Sequence, residues 1–142
     1  MNQKLLTFLA LGFGALIILQ ALLGGWLFIH NIGITPDEIK TYYADKSLHG
    51  VLEVLVPHTL FITISLMAFL HFLSFIDTIE QKTKTYFLHL LFSLFLLDQL
   101  TPIGIILGIE SFTYLKILFF VGFEVVLGWV WIITFFASIK KN

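Results

Sequence analysis

Four long apolar stretches, separated by short polar runs, set the pattern of this chain. They run roughly Leu5–Ile29, Leu48–Ile76, Tyr86–Leu107 and Phe112–Phe136. The hydrocarbon core of a bilayer takes about 20 helical residues to cross, so each stretch is long enough to span it. Inside lipid the backbone must satisfy its own hydrogen bonds, which makes each stretch a helix. The pattern therefore predicts four transmembrane helices.

The connections fix their arrangement. Only Gly108-Ile109-Glu110-Ser111 separates the last two stretches, which predicts an antiparallel pair. About nine residues, Asp77–Thr85, join the second and third. The expected fold is all-α: an up-down-up-down four-helix bundle forming one membrane domain over residues 1–142. In the outer loop 31–47, Thr35, Pro36 and Glu38 supply an N-cap, a first-position proline and a capping box. They predict a short amphipathic helix from Pro36 to Tyr43, a lid over the bundle mouth or a docking site for a partner. Lys4 before the first stretch gives it the look of a signal peptide. At about 25 residues, however, it is too long for a signal core of 7–15, and it is read as a helix of the mature protein.

Composition agrees with a membrane setting. The chain is 58% hydrophobic and 12% charged, where a soluble domain carries about 25% charged residues. A net charge of −1 gives nucleic-acid binding no electrostatic support. The absence of cysteine excludes disulfides, Fe–S clusters, covalent haem attachment and thiolate chemistry. No large extramembrane catalytic domain fits the length, so an anchor or electron-transfer subunit is expected rather than a stand-alone enzyme. Lys4, Lys82, Lys84, Lys140 and Lys141 fall on one side of the bundle, and Lys40, Lys46 and Lys116 on the other. The positive-inside rule then places both termini in the cytoplasm of a bacterial inner membrane.

Ionisable residues within the apolar stretches change the picture from scaffold to function. A charged side chain at mid-bilayer costs roughly 2.5–3.5 kcal/mol on insertion scales, and such residues face partners or cavities. His71, near the end of the second helix, and His89, near the start of the third, sit at matched depth on antiparallel neighbours. Two imidazoles so placed could hold one low-spin haem b between them. Phe69, Phe72, Phe75, Phe87 and Phe92 would give the macrocycle an aromatic pocket. The same histidines also fit a plain interfacial role.

In the outer half, His30 and His49 are depth-matched too. His49, Glu53 and His71 share one face of the second helix, since they are four and eighteen residues apart. That stripe is expected to face the bundle interior. His58 is turned about 140° from Glu53, and Pro57 before it would kink the helix. Thr59 and Thr63 could then satisfy the freed carbonyls. His58, with His30 or His49, is the weaker candidate for a second haem. Glu53, Asp98 and Glu124, with His58, could form a proton path, a quinone pocket or a metal site. The bland alternative is protonated acids acting as interhelical glue. No Glu-x-x-His pair of the di-iron type is present.

The run Gly33-Ile34-Thr35-Pro36-x-x-Ile39-x-x-Tyr42-Tyr43, followed by Leu52-Glu53, His58 and His71, resembles a group of small four-helix bacterial membrane proteins that look cytochrome b-like. The resemblance covers Gly33 to His71 and departs at Val56, where the group often has a histidine. It implies a membrane-integral b-type haem protein passing electrons to or from a quinone or a partner redox subunit. The alternative of another class is a cofactor-free proton- or cation-handling transporter, or a structural or assembly subunit, alone or as a homo-oligomer in the lipid bilayer.

Overall fold

A computed structural model describes residues 3–139. The elements are α1 (Gln3–Leu27, continued by one π-helical turn, Phe28–Ile32), α2 (Pro36–Ala44), α3 (Leu48–Ser74), α4 (Gln81–Ile106) and α5 (Ser111–Ile139). The four long helices are each apolar and long enough to cross a membrane, and α2 is the expected short amphipathic helix. The all-α transmembrane bundle is as the sequence predicts. The expected boundaries shift at α4, which begins at Gln81 rather than Tyr86. Polar Gln81–Thr85 extends the helix into the interface and shortens the α3–α4 connection.

In the bundle α1 packs on α5, α5 on α4, and α4 on α3. Bilayer-facing sides carry large exposed side chains such as Phe8, Phe61 and Val125. Lipid is as apolar as these groups, so the helices gain no hydrophobic drive from hiding them and are held by close packing and hydrogen bonds. Of the four spanning helices α4 is the most enclosed, with 44% of its apolar window buried against 17–22% for the others.

Two sequence devices tighten α5 against its neighbours. After α4, Gly108 adopts φ +82°, and the amides of Gly108 and Ile109 donate to the carbonyls of Ile105 and Gly104. This is a Schellman turn, which glycine enters without strain. Gly104 also leaves room for the Phe112 ring, which lies where its Cβ would be. Gly14 does the same for Trp131, whose Nε1 donates to the Ala10 carbonyl at 2.9 Å and ties α1 to α5. Gly122 and Gly128 make no such close approach: a Cβ at Gly122 would make ordinary contact with Leu94, and one at Gly128 meets nothing.

The bundle's two ends differ. At the end that carries the chain termini, Phe13 of α1 packs between Phe69 and Phe72 of α3, with ring centroids at 5.6 and 5.4 Å. Leu91, Phe95, Leu127 and Val130 complete that core. Toward the other end α1 and α3 diverge and leave a cleft. Over it lies α2, capped as predicted: the Glu38 amide donates to Thr35 Oγ1 at 3.3 Å, and Glu38 Oε2 accepts from the Thr35 and Ile34 amides at 3.0 and 2.9 Å. Ile39 and Tyr43 bury their side chains against Phe28, Val51 and Ile105. For Ile39 that is worth about 2–3 kcal/mol relative to exposure.

Candidate functional site

The cleft between α1 and α3 has a volume of about 330 Å³. Its side walls are α1 (Gln20, Gly24, Phe28) and α3 (Val51, Leu55, His58). Its floor is α4 and α5 (Phe95, Asp98, Gln99, Lys116, Phe120, Glu124), and Tyr42, Tyr43 and Lys46 stand at the α2 mouth. Phe28 stacks on Phe120 with centroids 4.3 Å apart and planes within 5°. The π turn at the end of α1 brings Phe28, Asn31 and Ile32 to this wall. Such bulges are frequent at functional sites.

At the floor, Lys116 Nζ donates to Asp98 Oδ1 at 2.7 Å, and both residues are under 10% exposed. A buried ion pair survives only if further hydrogen bonds meet its remaining groups, and here those of the carboxylate are met. Gln99 Nε2 donates to Asp98 Oδ2 at 3.0 Å, and Gln99 Oε1 accepts from Thr59 Oγ1 at 3.0 Å. Pro102 contributes as well. It lacks the amide that would bond the Asp98 carbonyl four residues back. That oxygen instead accepts from Thr101 Oγ1 at 2.7 Å and from Lys116 Nζ at 3.4 Å.

Deeper in the cleft stands Glu124. Its Oε2 is buried and has no hydrogen-bond partner. A Cβ on Gly24 would lie 3.9 Å from Glu124 Oε1, so this glycine opens the cleft toward the carboxyl. At the mouth, burial pushes the Tyr43 hydroxyl well above the ordinary tyrosine range, with Tyr42 and Asp98 adding to the effect.

The sequence candidates sort by face. Asp98, Glu124 and His58 line the cleft together. His58 is itself exposed, but it lies one turn before buried Ile62 and two turns after buried Val51 and borders the open cleft. The expected inward stripe is a correction: His49, Glu53 and His71 are all exposed. The packed face of α3 is the Val51, Ile62, Leu66, Phe69 and Leu73 side, and Glu53 is turned about 200° from Val51. His49 Nε2 and Glu53 Oε1 pair with each other at 3.1 Å on that outer face. His30 is exposed and lies against Trp26, with ring centroids 4.0 Å apart and planes tilted by 46°. His71 meets Phe75 edge-on at 5.0 Å, and both His71 and His89 are exposed. Phe69, Phe72 and Phe87, expected to line a haem pocket, are buried in the packed core. Among the described residues no group of three or more His, Asp and Glu is placed to hold a metal ion. Thr59, expected to satisfy a carbonyl freed by Pro57, bonds Gln99 instead.

Lys116 is the site residue that the sequence pattern left out: it lies within the stretch Phe112–Phe136 but counted only as an outer-side charge. It is buried because α5 starts at Ser111 and carries it into the bundle. A signal was there. Asp98 and Lys116 are equidistant from the α4–α5 turn at Leu107 (107 − 98 = 9; 116 − 107 = 9), so an antiparallel pair must bring them to one level.

Comparison with known proteins adds the family. Neither the curated proteins nor the solved structures offer a significant match. Residues 33–142 match the Aq_1264_TM family, described as a transmembrane helical domain, and the chain belongs to that family.

Proposed function

We propose that this member of the Aq_1264_TM family is a membrane subunit that holds the polar head of a small, uncharged, membrane-dissolved amphiphile in the cleft between α1 and α3. The observation that carries the reading is the cleft itself: a pocket of about 330 Å³ whose buried positive charge is matched at 2.7 Å by Asp98, while Lys46 at its mouth lies over the Tyr42 ring at 4.3 Å. A site so balanced offers little to a free anion or cation. It offers hydrogen bonds and aromatic walls to a neutral head, at the lower end of the volume range of small-molecule pockets. The separation of α1 from α3 at this level gives an apolar tail a way out to lipid. Burial of Lys116 supports the expected orientation, because it removes a lysine from the α2 end. Lys40 and Lys46 remain there, against Lys4, Lys82 and Lys84 at the terminal end, with Lys140 and Lys141 outside the described residues. The α2 end is then outside and the termini cytoplasmic, in a bacterial inner membrane.

The test fills the pocket without touching its charges. Gly24→Leu projects a side chain toward Glu124. Native mass spectrometry of protein taken from lipid nanodiscs should show a bound amphiphile in the wild type and its loss, by about tenfold or more in affinity, in the variant. Equal occupancy in both would sink the reading.

An electron-transfer role with haem b held by His71 and His89 is a second, separable reading. It is favoured by the antiparallel packing of α3 on α4, which puts both histidines toward the same end of the bundle. Low-spin b-type bands in a reduced-minus-oxidised spectrum, lost in His71→Ala and His89→Ala, would support it. A colourless protein from haem-replete cells would end it.

A further inference from the structure

The cleft presents free hydrogen-bonding capacity at two levels. An ammonium has three N–H donors. Two of those on Lys116 go to the carboxylate and carbonyl of Asp98, leaving one. The second free group is the buried Oε2 of Glu124. Both residues are on α5, eight apart, so their backbones are separated by about 12 Å along the helix axis. They line the same cavity, with Phe95, Phe120 and Phe123 among its walls.

Two hydrogen-bonding groups at different levels of one cavity are informative about the occupant. In a 1,4-quinone the two oxygens point in opposite directions, about 5 Å apart across the ring. Each can take a hydrogen bond from a different protein group, one at either end of the ring. A fatty acid, an alcohol or a monoglyceride has its polar atoms clustered at one end and would satisfy one level only. A flat ring also suits the phenylalanine walls, since aromatic groups stack with centroids 4.5–7 Å apart.

Building on the amphiphile reading above, we infer that the cleft is a quinone or quinol headgroup site. One ring oxygen accepts from Lys116 Nζ, the opposite one bonds the carboxyl of Glu124, and the tail leaves between α1 and α3. The carboxyl serves either form: protonated, it donates to a quinone carbonyl, and ionised, it accepts from a quinol hydroxyl. Binding alone is assigned; no electron transfer within the chain is required.

The experiment is a titration of the full chain in nanodiscs with a decyl-tailed 1,4-benzoquinone. Decylphenol, which keeps the ring and one oxygen, and a monoglyceride are run alongside. The expected result is saturable quinone binding, with decylphenol at least tenfold weaker. Glu124→Leu should weaken the quinone at least tenfold, while Glu124→Gln, which keeps a hydrogen-bonding end, stays within threefold. Quinone and decylphenol binding equally, or Glu124→Leu binding as wild type, would overturn the two-ended site. Monoglyceride binding without quinone binding would overturn this inference and leave the amphiphile reading standing. Binding of none of the three would remove both.

Discussion

Replacing Lys116 by methionine deletes one half of an ion pair whose side chains are 8% and 10% exposed and whose charged atoms are 2.7 Å apart. At an effective dielectric constant near 20 the attraction is about 6 kcal/mol. Most of it offsets the several kcal/mol needed to take each ion out of water, so the pair's net worth is small. Removing one partner is different, because the desolvation cost of the other is left uncompensated. A stranded carboxylate can escape by taking up a proton, which for an ordinary carboxyl at pH 7 costs about 4 kcal/mol. That route limits the damage, so Lys116→Met should lose about 3–4 kcal/mol. Asp98→Asn strands an ammonium, whose neutralisation at pH 7 costs about 4–5 kcal/mol by the same reasoning. The double variant strands nothing and should lie within about 1–2 kcal/mol of wild type. Reversible unfolding of the four proteins in mixed micelles gives the coupling energy directly. If either single change costs under 1 kcal/mol, or if the double change costs the sum of the two, the charges are not buried against each other and the description of the floor fails.

Four further outcomes test the frame around the cleft. Gly33 has φ +96°, with the Glu38 side chain where its Cβ would sit. Gly33→Ala should therefore destabilise the entry to α2 by about 1–2 kcal/mol or more, seen as faster amide exchange through Pro36–Ala44. Thr35→Ala, which removes the cap oxygen accepting from the Glu38 amide, should raise exchange in the same segment by about 1 kcal/mol in local stability. The Thr35 and Ile34 amides hold the Glu38 carboxyl below the ordinary glutamate range. Its contribution is thus present above the unfolded value of about 4.3 and is lost as pH falls through the lower folded value. Protection of α2 should drop over that acid window in wild type, whereas Glu38→Gln should be flat there and less protected at neutral pH. Finally, Gly104→Val drives a side chain into the Phe112 ring. It should cost about 1–3 kcal/mol in unfolding, while the same change at Gly128, where a Cβ meets nothing, should leave stability unchanged to within about 0.5 kcal/mol.

The spans, the antiparallel order and the α2 cap were legible because each rests on local information: apolar length, short turns, and a Thr-Pro-x-Glu start. Facing was not. On α3 the apolar residues go all the way round, since one side meets lipid and the other meets protein, so periodicity does not say which is which. His49 and Glu53 therefore looked inward by their polarity, although near a helix end both reach water by facing out. His58 was assigned away from that stripe by the same angular arithmetic, and the arithmetic was right; what it could not say was which of the two faces meets α4. Lys116 counted as an outer-side charge because a lysine near the start of an apolar run reads as interfacial until its partner at matched depth is noticed. Gln99 stood beside Asp98 in the sequence, but its bond to Thr59 depends on the register of α3 against α4, which no local signal carries.

At the terminal end, Trp131 holds α1 through the Ala10 carbonyl and Phe13 wedges it against α3, while its other half stands apart from α3. Toward the α2 end it is held again, by Phe28 stacked on Phe120 of α5 and buried against Ile39 and Tyr43 of α2. Mechanically α1 is a strut pinned at both ends. The gap beside α3 is then a window in a braced frame, and its width is set by where those pins sit.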